Sequence, residues 1–188
     1  MSTALRMQIA DYDRLVERGF FEELPNKRIE LIYGELREIN PAGPSHEHII
    51  GVLTDWYSEF APRQEVALRV QMSVGISPLE SVPEPDIAWV RRRNYSRRRA
   101  QADDVALLIE VADSSLAYDC GEKAALYAQA GIRDYWVVSI REACIYVFRG
   151  PVADEYTRKT RHGIDERVSP LAFPDIALEI GPLFGYGP

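Results

Sequence analysis

Two carboxylates in this chain sit where apolar side chains would pack better. Asp86 interrupts the strand-like run EPDIAWV, residues 84 to 90, and Glu110 interrupts DVALLIEV, residues 104 to 111. If the two runs are antiparallel neighbours, the midpoint between the acids is residue 98, inside the connecting loop, so the acids lie opposite one another. Opposed side chains in such a pair have Cβ atoms about 5 Å apart, and two carboxylates at that range repel unless a proton or a cation intervenes. A divalent ion is the natural remedy. Magnesium in particular is held by one or two carboxylates together with water and substrate phosphate oxygens.

A third group follows. Lys123 stands at the start of a helix-like segment, where the macrodipole disfavours a cation by about 0.3 to 1 kcal/mol. The loop after the second strand is short enough to bring its ammonium back towards Glu110. The chain has three lysines (Lys27, Lys123 and Lys159) against nineteen arginines, so lysine is not its default cation. A compact ammonium suits a phosphate or a bound water. The plain alternatives are a solvated helix lysine and acids solvated at a sheet end.

Around this centre the elements are readable. Residues 8 to 18 pattern as a helix, and RIELIYGELREIN, 28 to 40, as a hairpin turning at Tyr33 and Gly34. After the loop PAGPS, Ser45 is placed to cap a helix over 46 to 60, with Ile49, Val52, Leu53, Trp56, Tyr57 and Phe60 on one face. EVALRVQMSV, 65 to 74, alternates Val66, Leu68, Val70, Met72 and Val74 inward, and the run holding Glu110 is apolar enough to be central in a sheet. Asp119 and Glu122 have capping-box spacing for a helix to Ala130, with Gly131 at its left-handed C-cap. DYWVVSI and ACIYVFRG form a second hairpin about Arg141 and Glu142, and a strand near 155 to 161 precedes the irregular LAFPDIALEIGPLF. Tyr127, Tyr135 and Trp136 read as core. The order fits a mixed sheet flanked by helices, an α+β fold, because residues 65 to 111 offer no helix between their strands.

Bulk properties narrow the class. The chain is 188 residues long, enough for one well-buried domain. A formal charge of −7 argues against a protein that coats nucleic acid. A local basic patch remains: Arg91, Arg92, Arg93, Arg97, Arg98 and Arg99 fall within nine residues, with Tyr95 interleaved, and phosphate contact is their functional reading. A solvated loop is the plain one. Cys120 and Cys144 have neither metal-ligand nor redox spacing, which suits a reducing cytoplasm. No stretch approaches the roughly 20 apolar residues that span a bilayer, so the protein is expected to be cytoplasmic.

The segments RIELIYGELREI, PSHEHII, VPEPDIAWV and LLIEVADSSLAYDCGEKAALYAQAGIRDYWVV resemble the Uma-two family of restriction-endonuclease-like proteins, within the PD-(D/E)XK nuclease superfamily, over about residues 8 to 184. The resemblance implies a restriction-endonuclease-like core over about 28 to 150, a mixed central β-sheet with an additional N-terminal β-hairpin, and a C-terminal extension over about 151 to 188, all in one domain. It also implies a metal-dependent endonuclease acting on DNA, with Mg²⁺ or Mn²⁺ on Asp86 and Glu110. The superfamily's usual lysine stands two residues after the second acid, and here that residue is Ala112. Some members carry the lysine on the following helix, where Lys123 would serve. A further site residue commonly comes from the first core helix, with Glu47 the positional candidate and His46 a second. His46 and His48 point to different helix faces and cannot easily clasp one ion. Glu35, on the first hairpin, is unranked.

Three readings follow. The first is the magnesium-dependent nuclease, for which a homodimer is expected because cutting both strands together needs two sites. The second is a nuclease fold that binds nucleic acid or regulates without turnover. A glycoside hydrolase using the two acids ranks below both, since it leaves Lys123 and the arginine loop unexplained and lacks aromatics to line a sugar cleft.

Overall fold

The apolar strand segments above require a sheet with covered faces, and the computed structural model has one. It describes residues 5–23, 28–39 and 42–186. The last hairpin position, Asn40, and the first loop position, Pro41, lie outside these. Helix α1 (Ile9–Glu17) leads into a hairpin of β1 (Arg28–Ile32) and β2 (Glu35–Ile39), then α2 (Pro44–Phe60). The strands β3 (Val66–Val70), β4 (Val74–Gly75), β5 (Ile87–Arg91), β6 (Ala100–Gln101) and β7 (Val105–Ala112) follow. A helical segment comes next, made of α3 (Leu116–Tyr118), a π turn (Asp119–Lys123) and α4 (Ala124–Gln129). Strands β8 (Asp134–Ser139), β9 (Cys144–Val152), β10 (Glu155–His162), β11 (Arg167–Val168) and β12 (Leu178–Glu179) complete the chain.

The central sheet runs β10-β9-β8-β7-β5-β3, with β7 and β8 parallel and every other pair antiparallel. Side chains 107, 109 and 111 of β7 face α2, where Trp56 packs 4.8 Å from Trp89 and 6.0 Å from Trp136. Residues 108 and 112 face α4, beside Tyr127 and Tyr135. The C-terminal segment closes the α2 face: Val168, Leu178, Ile180 and Leu183 join that core, and the Trp56 indole donates to the Ala177 carbonyl at 3.2 Å. The N-terminal hairpin is a separate two-stranded sheet, held through Leu31 against Tyr12 and Val82. It turns at Tyr33 and Gly34, both at positive φ, as a two-residue hairpin loop requires. A side chain on Gly34 would also stand 2.9 Å from the Cβ of Arg6.

Three local expectations change, and one bulge appears. The stretch 65–74 is not one strand: Gln71 takes a left-handed φ of 49° and ends β3, leaving Met72 half exposed. Helix α2 starts at Pro44, so Ser45 is inside it and caps nothing, and Phe60 in its last turn is exposed. The second helical segment starts at Leu116, three residues before Asp119, so Asp119 belongs to the π turn instead of a capping box. Lys123 therefore lies in the second turn, clear of the dipole penalty that a first-turn position carries. Finally, Ala106 is a bulge: the β5–β7 register runs 87↔109, 88↔108, 89↔107 and then 90↔105, which turns Ala106 towards the α2 face.

Candidate active site

Continuing the β5–β7 register by one pair sets Asp86 opposite Glu110, on the α4 side of the sheet end. The Val111 N–H donates to Asp86 Oδ2 at 2.9 Å, and the Asp86 N–H reaches Glu110 Oε2 at 3.4 Å. Asp86 is held from two more sides. His46, on the first turn of α2, places Nε2 3.0 Å from Oδ2, and the Gln71 amide donates to Oδ1 at 3.2 Å. Gln71 also donates its backbone N–H to the Asp86 carbonyl, at 3.0 Å. The left-handed turn that breaks β3 thus clamps the acid. Since a carboxylate only accepts, the His46 proton that meets Asp86 is on Nε2. Burial raises the Asp86 pKa, but the contacts from His46, Val111 and Gln71 outweigh it and hold the group below the ordinary carboxylate range.

Glu110 has different surroundings. Its Oε1 accepts from the Lys123 ammonium at 3.0 Å and the Tyr127 hydroxyl at 2.7 Å. Asp119, Lys123 and Tyr127 are spaced four apart and share the buried stripe of the segment. The π turn is accommodated by Tyr135, whose hydroxyl donates to the Asp119 carbonyl at 2.9 Å. Lys123 has a second partner, Glu30 of the N-terminal hairpin, at 3.2 Å. Glu30 is 2% exposed, Glu110 4% and Lys123 5%, so this is a buried triad. The Glu110 pKa is pushed up to about 8, first by burial and then by Asp86, Asp119 and Glu30, with Lys123 opposing. Lys123 is driven the other way from what burial alone would do, held charged by Glu110, Glu30 and Asp119.

These groups line a cavity of about 350 Å³ whose walls include Arg28, Glu30, Arg37, His46, Asp86, Glu110, Tyr118, Asp119 and Lys123. At its inner end Glu30, Asp86, Glu110 and Asp119 gather around the Lys123 ammonium, while Arg28 and Arg37 stand on the hairpin wall, so acids outnumber cations. A hard cation between Asp86 and Glu110 would correct this, and the donors there are carboxylate oxygens. Among the described residues no group of three His, Cys, Asp or Glu side chains is arranged to hold a metal ion.

The remaining sequence candidates fall elsewhere. Glu47 is exposed on α2 and does not line the cavity; His46 takes the inward position, and His48 is exposed. Glu35 pairs with Arg37 at the surface. None of the six arginines lines the cavity: Arg91 ends β5, roughly 16 Å along the strand from Asp86, and Arg99 turns to Asp13 of α1. Four of the six are also engaged within the chain. Arg93 and Arg98 pair with Asp104 at 3.1 and 3.0 Å, Arg92 donates to the carbonyls of Arg63 and Val66, and Arg99 pairs with Asp13. Arg91 and Arg97 are exposed.

Sequence reasoning missed Glu30, Gln71 and the polar role of Tyr127. Glu30 had a readable signal, an acid between Ile29 and Leu31 in a strand. Gln71 and Tyr127 had none, because the contacts of both with the acids depend on tertiary placement.

Comparisons with known proteins bear on the family and the fold. The model of the Uma2 family, described as "Putative restriction endonuclease", matches residues 10–181. A solved structure from Anabaena variabilis ATCC 29413, titled a "putative nuclease belonging to DUF820", superposes with a TM-score of 0.70. It is 16% identical in sequence, and the match covers 96% of this chain and 98% of that one, which establishes the shared fold. No curated protein matches the chain. Among the described residues no helix is long and apolar enough to cross a membrane.

Proposed function

The chain belongs to the Uma2 family, and from that premise we propose that it is a divalent-metal-dependent nuclease hydrolysing phosphodiester bonds of DNA. The observation that carries the reading is Lys123. Its ammonium lies 3.0 Å from Glu110, the acid opposite Asp86, although the usual lysine position is Ala112. Acid, acid and ammonium therefore meet despite the displaced lysine.

Asp86 and Glu110 would hold Mg²⁺ or Mn²⁺. Such an ion polarises a phosphate and lowers the pKa of a bound water. The protein's own groups do the positioning. His46, Gln71 and the Val111 N–H keep Asp86 ionised and fixed in orientation, and Tyr127 fixes Glu110. Lys123 remains a cation, retained by Glu30, and stabilises negative charge developing at the phosphate. Two copies acting together would cut both strands, which makes a homodimer the expected cleaving form.

A sugar-cleaving site is not favoured, because Tyr118 is the one aromatic side chain lining the cavity among the described residues. A binding module without turnover is separated by assay. Supercoiled plasmid should be nicked or linearised with Mg²⁺ or Mn²⁺ and not with EDTA, and Asp86→Ala and Lys123→Ala should each lower the rate at least a hundredfold. Undiminished cleavage by both variants would place the chemistry elsewhere. Titration calorimetry with Mn²⁺ tests the metal directly, since binding should vanish in Asp86→Ala.

A further inference from the structure

The arginine loop does not reach the cavity, so a strand entering it must be held by other cations, and the N-terminal hairpin supplies them. In the β1–β2 register Glu30 is opposite Arg37, and Arg28 is two residues before Glu30, so all three share one hairpin face. All three line the cavity. Glu30 is fixed at its floor: it accepts from Lys123 at 3.2 Å and from the Glu84 N–H at 2.6 Å. That anchor sets the hairpin's position relative to Glu110.

The two arginines are held differently. Arg28 meets Glu84 at 3.2 Å with 35% of its side chain exposed, and Arg37 meets Glu122 at 3.2 Å and Glu35 at 2.7 Å with 39% exposed. Exposed pairs of this kind contribute little to folding and exchange readily. A guanidinium released from a carboxylate matches the paired oxygens of a phosphodiester, which it can bind through two parallel hydrogen bonds. We infer that Arg28 and Arg37 are the phosphate clamp of this site, gripping the DNA backbone beside the scissile bond while Glu30 keeps the clamp in register with Lys123.

The inference rests on the nuclease reading but is tested without cleavage. Binding of a short labelled DNA duplex in EDTA is followed by anisotropy over a salt series between about 50 and 200 mM. Removing one arginine–phosphate pairing should reduce the slope of log K against log salt by about 0.9, so Arg28→Ala/Arg37→Ala should lower it by about 1.8. Arg28→Lys/Arg37→Lys should restore most of the slope, which a damaged fold would not. Arg91→Ala/Arg97→Ala should leave it unchanged. An unchanged slope in Arg28→Ala/Arg37→Ala, a decrease confined to Arg91→Ala/Arg97→Ala, or no binding by the unaltered protein would each overturn the clamp. Intact binding without cleavage would sink the nuclease reading and leave the clamp standing.

Discussion

The two ends of the β5–β7 pair are built from opposite chemistry. At one end Asp86 and Glu110 are almost fully buried and share an ammonium, an imidazole and a tyrosine hydroxyl. At the other, arginines ring an exposed loop, and the carboxylate that organises them, Asp104, is itself buried. The buried end gathers four acids around its ammonium, which suits a cation, while at the exposed end four of the six arginines are engaged within the chain. Density of charge in a sequence therefore says less about a ligand than where the fold sets each charge relative to the cavity.

The difference can be broken most severely at Lys123. Lys123→Met leaves Glu30 and Glu110 buried without their cation, and removing one partner of a buried pair costs about 3 to 5 kcal/mol. Urea unfolding of the metal-free protein should show a loss of that size, and added Mn²⁺ should recover part of it.

Acidity gives the next test. The Glu110 carboxyl has its folded pKa raised to about 8 against an ordinary 4.5. Between those values the folded state binds a proton that the unfolded chain has released, so the contribution of Glu110 to stability is full below about pH 4.5 and declines as pH rises towards 8. Asp86, shifted downward, acts only at lower pH, where its stabilisation is lost as pH falls. In Glu110→Gln the decline between pH 5 and 8 should flatten; an equally steep decline would assign it to another group.

The exposed end should yield smaller effects. Asp104→Ala removes a buried acceptor from Arg93, Arg98 and the Gln101 N–H, and should cost about 1 to 3 kcal/mol in a thermal or urea melt without altering metal binding. Arg97→Ala touches nothing of the kind and should stay within about 0.5 kcal/mol of the unaltered protein.

Much of this is legible in the chain itself. The parity of Asp86 with Ala88, the central position of the Glu110 strand and the hairpin at Gly34 all follow from period-two patterning and turn chemistry, and each appears in the structure. What could not be read were features set by one residue's backbone choice. Gln71 turns left-handed and Ala106 bulges with no glycine or proline at either position, and Gly121 at the centre of the π turn over residues 119 to 123 also fits an ordinary helix pattern. The arginine loop stands apart from the cavity for a topological reason: residues joined directly to a strand that bears a site residue can emerge at its far end. Glu47 misled because the first turn of α2 points its neighbour, His46, inward.

The bulge at Ala106 has a practical side. It takes up the mismatch between β5 and β7 three pairs away from the extension that aligns Asp86 with Glu110, so length changes beyond it need not propagate to the acids. The largely exposed stretch from Asn94 to Arg97 is thus a permissive port on the molecule, where a reporter peptide can be grafted to follow binding while the working end stays native.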